Sequence, residues 1–126
     1  MLDINIKRIP FSASATARLA SLRSKIVIKE NNILCRIGFT LSLEEAGMPL
    51  QPDSLDGSTI DRFTLLGEYD KVFIALLITW MQQKELEITD DNLSEYFVRH
   101  MNRGVDIIST RVKSMSDFES LTPEGN

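Results

Sequence analysis

The chain of 126 residues is the length of one domain, and its 43% hydrophobic and 25% charged residues exclude a largely disordered protein. Its single cysteine excludes an internal disulfide, and its most apolar run, residues 72–81, is half the roughly 20 residues that span a membrane. No signal-peptide pattern precedes the first basic residues, so these features together favour a cytoplasmic protein.

The net charge of −4 hides a strong segregation of charge along the chain. Residues 1–36 carry seven basic and two acidic side chains, a net +5, whereas residues 37–70 carry one basic and seven acidic, a net −6. The remaining residues carry six basic and nine acidic side chains, a net −3. Charge asymmetry of this kind indicates an interaction surface.

The first element predicted is a short strand. Apolar and polar residues alternate over residues 2–7, which is the period of a half-buried strand, and Pro10 ends it because proline cannot donate to a sheet ladder. A lone strand is not stable, so we expect it to pair with a second copy of the chain.

Two helices follow. Ser12 is placed to cap a helix over residues 13–26, in which Arg18 and Lys25 share a face away from the apolar one. The second helix, from about residue 30 to 43, is apolar nearly all round its axis. Such a helix lies either in an interface between subunits or at the centre of a compact monomer.

The rest of the chain is a loop over residues 47–57, a helix over 68–83 and a helix capped by Thr89, which Gly104 is expected to bend or interrupt. The prediction is a mainly α domain over residues 1–113, with a short N-terminal strand and about four to five helices. Residues 114–126 are predicted to form a flexible tail.

Strand, helix and helix is the order of ribbon-helix-helix proteins of the Met-repressor type, which place strand side chains in a DNA groove. Basic side chains in the first third are therefore candidate phosphate contacts, because phosphate neutralisation supplies most sequence-independent DNA affinity. The alternative is a solvated helix face without a ligand. The candidates are Lys7, Arg8, Arg18, Arg23, Lys25 and Lys29.

Residue patterns typical of enzymes are missing from the sequence. Cys35 and His100 lie 65 positions apart without a supporting motif, and both are expected to be structural. No metal site is predicted, since these are the sole Cys and His and the acidic loop lacks calcium-motif spacing. No nucleotide-binding loop occurs, so we expect neither a cofactor nor catalysis.

Several segments resemble the DndE family of DNA phosphorothioation systems and occur in the same order as in that family. They cover residues 8 to about 112 and are RIPFS at 8–12, NILCR at 32–36, LSLEE at 41–45, TLLGEYD at 64–70, FIALL at 73–77 and HMNRGV at 100–105.

The resemblance implies a system that replaces a non-bridging phosphate oxygen of DNA with sulfur. In that system a cysteine desulfurase supplies the sulfur, and other subunits carry the iron-sulfur and nucleotide chemistry. It implies a small accessory subunit that binds nicked duplex DNA as an oligomer, which we expect to be a homotetramer, through surface lysines. Lys7, Lys25 and Lys29 lie in the matching basic segment.

Two other functions stay open. In the first, the chain is an assembly adaptor that organises the modification enzymes through its acidic middle, formed by Glu44, Glu45, Asp53 and Asp56, and touches DNA only incidentally. In the second, more remote, it is an enzyme such as a nicking nuclease.

Overall fold

The computed structural model describes residues 2–112, which include two short strands and five α-helices. In chain order these are β1 (Arg8–Pro10), α1 (Ala13–Arg23), α2 (Asn31–Glu44), β2 (Thr59–Asp61), α3 (Arg62–Leu66), a 3-10 turn (Gly67–Tyr69), α4 (Asp70–Gln83) and α5 (Asp90–Arg111). The predicted mainly α class, with a short N-terminal strand followed by helices, is confirmed. The predicted tail over residues 114–126 lies outside the described residues.

The strand lies further along the chain than the sequence predicted. Residues 2–7 form no ladder, because the amides of Asp3 and Asn5 donate to side-chain oxygens of Asp90 and Ser94 at the start of α5, over 2.9 and 2.7 Å. The strand is instead Arg8–Pro10, and it pairs antiparallel with β2 of the same chain. The expectation that a second copy supplies the paired strand is therefore wrong.

Helix α1 begins where the sequence predicted, since the Ser12 hydroxyl accepts a hydrogen bond from the amide of Ala15 at 3.0 Å. It ends at Arg23, three residues before the predicted end. The Lys29 ammonium folds back and donates to the carbonyl oxygens of Arg23 and Ile26. This contact satisfies the Arg23 carbonyl, which the helix end leaves without a partner, and a second carbonyl in the turn that follows.

The core is built where α2 packs against α5, with α1 and α4 against the same cluster. Helix α5 runs unbroken through Gly104, so the predicted interruption is wrong. Its start is as predicted, because the Thr89 hydroxyl accepts from the amide of Asn92 at 3.1 Å. The largest fully buried side chains include Phe11, Phe39, Phe97, Leu77 and Met101.

One polar cluster is buried inside this core. The Ser42 hydroxyl accepts a hydrogen bond from Arg103 Nε at 2.8 Å and lies 2.8 Å from His100 Nδ1. The contact between Ser42 and His100 is satisfied by a neutral imidazole, with either the hydroxyl or Nδ1 as the donor. Burial lowers the pKa of His100 to about 3, with a smaller effect from the nearby charge of Arg103. His100 is thus a neutral structural residue.

The elements between residues 58 and 69 escaped the sequence analysis. Strand β2, α3 and the 3-10 turn are three to five residues each, too short for a periodic pattern. They connect the loop to α4 and place Arg62, the first residue after β2, beside residues 2–7. None of the helices within residues 2–112 has the length and apolar character needed to cross a membrane.

Candidate nucleic-acid interface

The two basic residues beside β1 are both exposed but line different surface pockets. Arg8 reaches across the strand pair, where its Nε and Nη2 donate to Thr59 Oγ1 at 3.0 and 2.8 Å. Lys7 makes no ion pair with any residue in the described part of the chain. Its ammonium is therefore available to an anion.

The two arginines of α1 are less available. Arg18 forms an ion pair with Asp106 of α5, with Nη1 and Oδ1 2.6 Å apart and both side chains about half exposed. Exposed pairs of this kind contribute little to stability, so a phosphate can compete for the guanidinium. Arg23 is half-buried, and its buried Nε has no hydrogen-bond partner within residues 2–112.

The last two candidates follow α1. Lys25 is exposed, and its ammonium has no ionic or hydrogen-bonded partner in the described range. Lys29 is also exposed, but the end of α1 already uses its ammonium. Lys29 is therefore first a helix-capping residue.

The six candidates are spread along the start of the chain. Lys7 and Arg8 lie at the start of β1, Arg18 lies midway along α1, and the others lie at or beyond its end. Helix α1 has 11 residues and is about 16 Å long. That distance equals about five base pairs of duplex at about 3.4 Å each. Helix α1 also exposes small side chains that allow close approach of another backbone; they are Ala17, Ala20 and Ser21.

The sequence analysis missed an exposed aromatic residue beside Lys7. Phe63 lies in the first turn of α3 and keeps 80% of its surface exposed. It is exposed because Leu65 and Leu66 supply the buried side of this short helix. A pocket of about 440 Å³ separates Phe63 from Lys7 and is also lined by Asp61, Arg62, Gly67 and Asp70. No sequence signal marks this exposure, because Phe63 and Leu66 are three positions apart, a spacing that ordinarily puts both side chains on one face of a helix.

Arg62 is the anchor of this pocket. Its guanidinium donates to both carboxylate oxygens of Asp70 at 2.7 Å, to Asp3 at 2.7 Å and to the carbonyl of Ile4 at 3.1 Å. The hydrogen bond from Arg62 lowers the pKa of Asp3, and the two carboxylates raise that of Arg62. Because its donors are engaged, Arg62 holds the N-terminal segment in place and is not free to bind a ligand.

The acidic middle is partly used inside the chain. Glu45 pairs with Arg111 at 2.7 Å, and Asp56 accepts a hydrogen bond from Ser54 at 2.7 Å. That bond is the main reason why the pKa of Asp56 is lowered. Glu44 and Asp53 are exposed and form no ion pair in the described structure, so they are the acidic residues most open to a partner.

Within residues 2–112, no three His, Cys, Asp or Glu side chains lie close enough together to hold a metal ion. Cys35 is fully buried, and burial raises the pKa of its thiol to about 12. It is the small buried apolar residue that the sequence predicted.

Comparisons with known proteins identify the family. The family described as DNA sulphur modification protein DndE matches residues 8–116. The crystal structure of DndE from Escherichia coli B7A, involved in DNA phosphorothioation modification, superposes with a TM-score of 0.65 at 25% identity, covering 86% of this chain and 98% of that one.

A DndE variant with two glycines replaced by lysine, also involved in DNA phosphorothioation, matches in fold with a TM-score of 0.60 at 24% identity, over 83% of this chain and 98% of that one. No curated protein matches the sequence significantly. The match over residues 8–116 covers most of the chain, which therefore belongs to the DndE family of DNA sulfur modification proteins.

Proposed function

We propose that the chain is a non-catalytic accessory subunit of the DNA phosphorothioation machinery that binds nicked duplex DNA through phosphate contacts. The main support is that Lys7 and Lys25 are both exposed and form no ion pair among the described residues. Both lie in residues 1–36, a segment of net charge +5. Arg8, Arg18 and Arg23 add charge near them, whereas Lys29 contributes mainly by ending α1.

Phosphate contacts of this kind bind DNA with little base specificity. Basic side chains precede, lie on and follow α1, which is about 16 Å long, so one subunit can touch phosphates about five base pairs apart. The small side chains on the exposed face of α1 let the DNA backbone come close between them. Binding is therefore expected to weaken steeply with salt, because each neutralised phosphate releases counterions.

The active form that we propose is a homotetramer. Tyr69, Val72 and Leu76 follow the spacing of one helix face and remain 47, 55 and 40% exposed in the single chain. A continuous exposed apolar stripe marks an interaction site. Packing α4 against another copy covers this stripe and brings several basic surfaces onto one DNA molecule.

The test is DNA binding by a Lys7→Glu, Lys25→Glu double variant. These two lysines are chosen because neither supports the fold through a side-chain contact in the described structure. We expect the slope of log affinity against log salt to fall by about two, and the affinity to fall at every salt concentration. A Lys71→Glu, Lys84→Glu variant changes the net charge equally at exposed sites outside the basic segment. If the Lys7→Glu, Lys25→Glu variant, like the control variant, binds DNA as the unchanged protein does, the assignment of these two lysines as DNA contacts is wrong.

The second candidate function is the assembly adaptor. It is favoured by the loop before β2, where Leu50 is 84% and Met48 42% exposed beside the acidic Asp53. An apolar surface with negative charge suits a basic protein partner among the other sulfur-modification subunits. In that case a Leu50→Ala, Asp53→Ala variant loses binding to such a subunit, and the unchanged protein has negligible DNA affinity at physiological salt.

A further inference from the structure

The end of α1 and the turn after it, residues 23–30, present basic and apolar side chains together; we call this segment the basic turn. Val27 is 70% exposed, and Lys25 is exposed without an ionic partner in the described part of the chain. The segment carries three basic side chains against the single carboxylate of Glu30, a net +2. Such a surface suits a partner that carries both carboxylates and apolar side chains.

Helix α5 ends beside the basic turn. The two helices run in the same direction, since the amide of Ser12 donates to Asn102 at 3.0 Å and Arg18 pairs with Asp106 at 2.6 Å. From that ion pair each helix continues for five more residues, about 7.5 Å, to its end. Residues 113–126 therefore leave α5 next to the basic turn.

The neighbouring charges on α5 do not offset the net +2 of the basic turn. Asp106 is already paired with Arg18, and Arg111 is paired with Glu45 at 2.7 Å. The next charged residue along the chain is Lys113, which is basic. A carboxylate that completes this surface must therefore come from elsewhere.

The sequence that follows α5 has the complementary chemistry. Residues 114–126, the acidic segment, carry no basic side chain, three acidic ones and three large apolar ones; they are Asp117, Glu119, Glu124, Met115, Phe118 and Leu121. All three acidic residues lie beyond residue 116, where the match to the DndE family ends. Residues 113–119 can span about 23 Å, more than the length of α1, so these carboxylates can reach the basic turn.

We propose that the acidic segment docks on the basic turn of its own chain, with its carboxylates at Lys25 and its apolar side chains against Val27, and thereby competes with DNA for this surface. Each exposed ion pair is weak, but the segment is tethered beside its target and acts at a high effective concentration. The docking stands on the charges and the chain path. The competition rests also on the proposed DNA binding.

Docking is tested on the full chain with a carbodiimide, which joins an ammonium to a carboxylate in direct contact. We expect mass spectrometry to find Lys25 joined to Asp117 or Glu119. Lys84 is the internal control, because it is exposed at the end of α4, whose last turn packs near residues 96–100 of α5. Mixed isotope-labelled and unlabelled chains identify the crosslinks within one chain. No crosslink at Lys25, crosslinks only between chains, or equal crosslinking of Lys84 overturns the docking.

Competition is tested by changing the three acidic residues to their amides; the changes are Asp117→Asn, Glu119→Gln and Glu124→Gln. We expect the affinity for DNA to rise about fivefold at about 50 mM salt. The gain should nearly disappear at about 200 mM salt, where screening weakens the ion pairs between the acidic segment and the basic turn. Crosslinking of Lys25 in the unchanged protein should also fall when DNA is added.

The matched control changes three exposed carboxylates that form no ion pair within residues 2–112; the changes are Glu68→Gln, Glu85→Gln and Glu87→Gln. An equal gain in this control attributes the effect to net charge and overturns the competition, as does the absence of any gain. If no variant binds DNA, the proposed function fails and the competition fails with it, whereas the crosslinks still decide whether the acidic segment docks.

Discussion

Gly38 of α2 and Gly104 of α5 are in backbone contact where the two helices cross. A Cβ atom built on Gly104 would lie 2.3 Å from the carbonyl carbon of Gly38, and one built on Gly38 would lie 2.7 Å from that of Gly104. No side chain fits at this crossing. The two glycines therefore set the distance between the helices that carry most of the core.

Gly104→Ala is expected to destabilise the fold by about 2 kcal/mol or more, because the added methyl group forces two backbones apart. The gain in helix propensity of about 1 kcal/mol offsets only part of this. The midpoint of urea unfolding measures the effect. Thr110→Ala, at an exposed position of the same helix, should change stability little. A Gly104→Ala protein as stable as the unchanged one would show that the helices can separate freely.

His100 predicts how stability depends on pH. Its pKa falls from 6.5 to about 3 in the folded chain, so between these values the unfolded chain binds a proton that the folded chain does not. Stability should therefore decrease as pH falls below about 6.5, by at most about 1.4 kcal/mol per pH unit.

This slope is measured by urea unfolding between about pH 7 and 5, above the range in which most carboxylates titrate. His100→Gln removes the only imidazole of the chain and should flatten the slope, whatever its effect on absolute stability. The account of the buried cluster is wrong if the unchanged protein and His100→Gln show the same pH dependence.

Cys35 is expected to be chemically silent in the folded protein. The thiolate is the reactive form, and a buried thiol with a pKa of about 12 supplies almost none. Ellman's reagent at mildly alkaline pH should react only after unfolding in guanidinium, with free cysteine as the positive control. Rapid labelling of the native protein would show that the thiol is accessible and contradict its buried position.

Local signals allowed much of the fold to be predicted. The Ser12 and Thr89 caps are set by residues three positions away, so the starts of α1 and α5 could be read directly. The position of β1 could not, because the acceptors for the amides of Asp3 and Asn5 lie 87 and 89 residues further on. A periodic pattern carries no information about partners at that distance.

The candidate DNA-contact residues were likewise predictable from the sequence only in part. The concentration of basic residues in the first third is visible in the sequence, but the use of Arg18 by Asp106 depends on a contact 88 residues away. The use of Lys29 depends on how the short turn after α1 folds back. The exposure of Phe63 was hidden as well. Hydrophobic residues are ordinarily assigned to the core, and only the packing of Leu65 and Leu66 shows which side of α3 faces solvent.

Asp106→Ala is expected to increase DNA affinity a few-fold, because it releases the Arg18 guanidinium from its ion pair. The pair is about half exposed, so the loss of stability should stay within about 1 kcal/mol. Affinity is measured by gel shift at one salt concentration. Glu87→Ala removes the same charge at an exposed site elsewhere, and an equal gain there would attribute the effect to net charge alone.

The apolar stripe on α4 gives the test of assembly. Leu76→Glu places a charge on the stripe of Tyr69, Val72 and Leu76, and burying an unpaired carboxylate between subunits is costly. We expect light scattering to give a smaller molar mass for this variant, while helical content by circular dichroism is kept, because Leu76 is already 40% exposed in the single chain. Gln82→Glu adds the same charge at an exposed polar position on another side of α4 and should leave the mass unchanged. An unaltered mass for Leu76→Glu would exclude this face as the interface, and DNA binding by a protein that stays monomeric would separate assembly from binding.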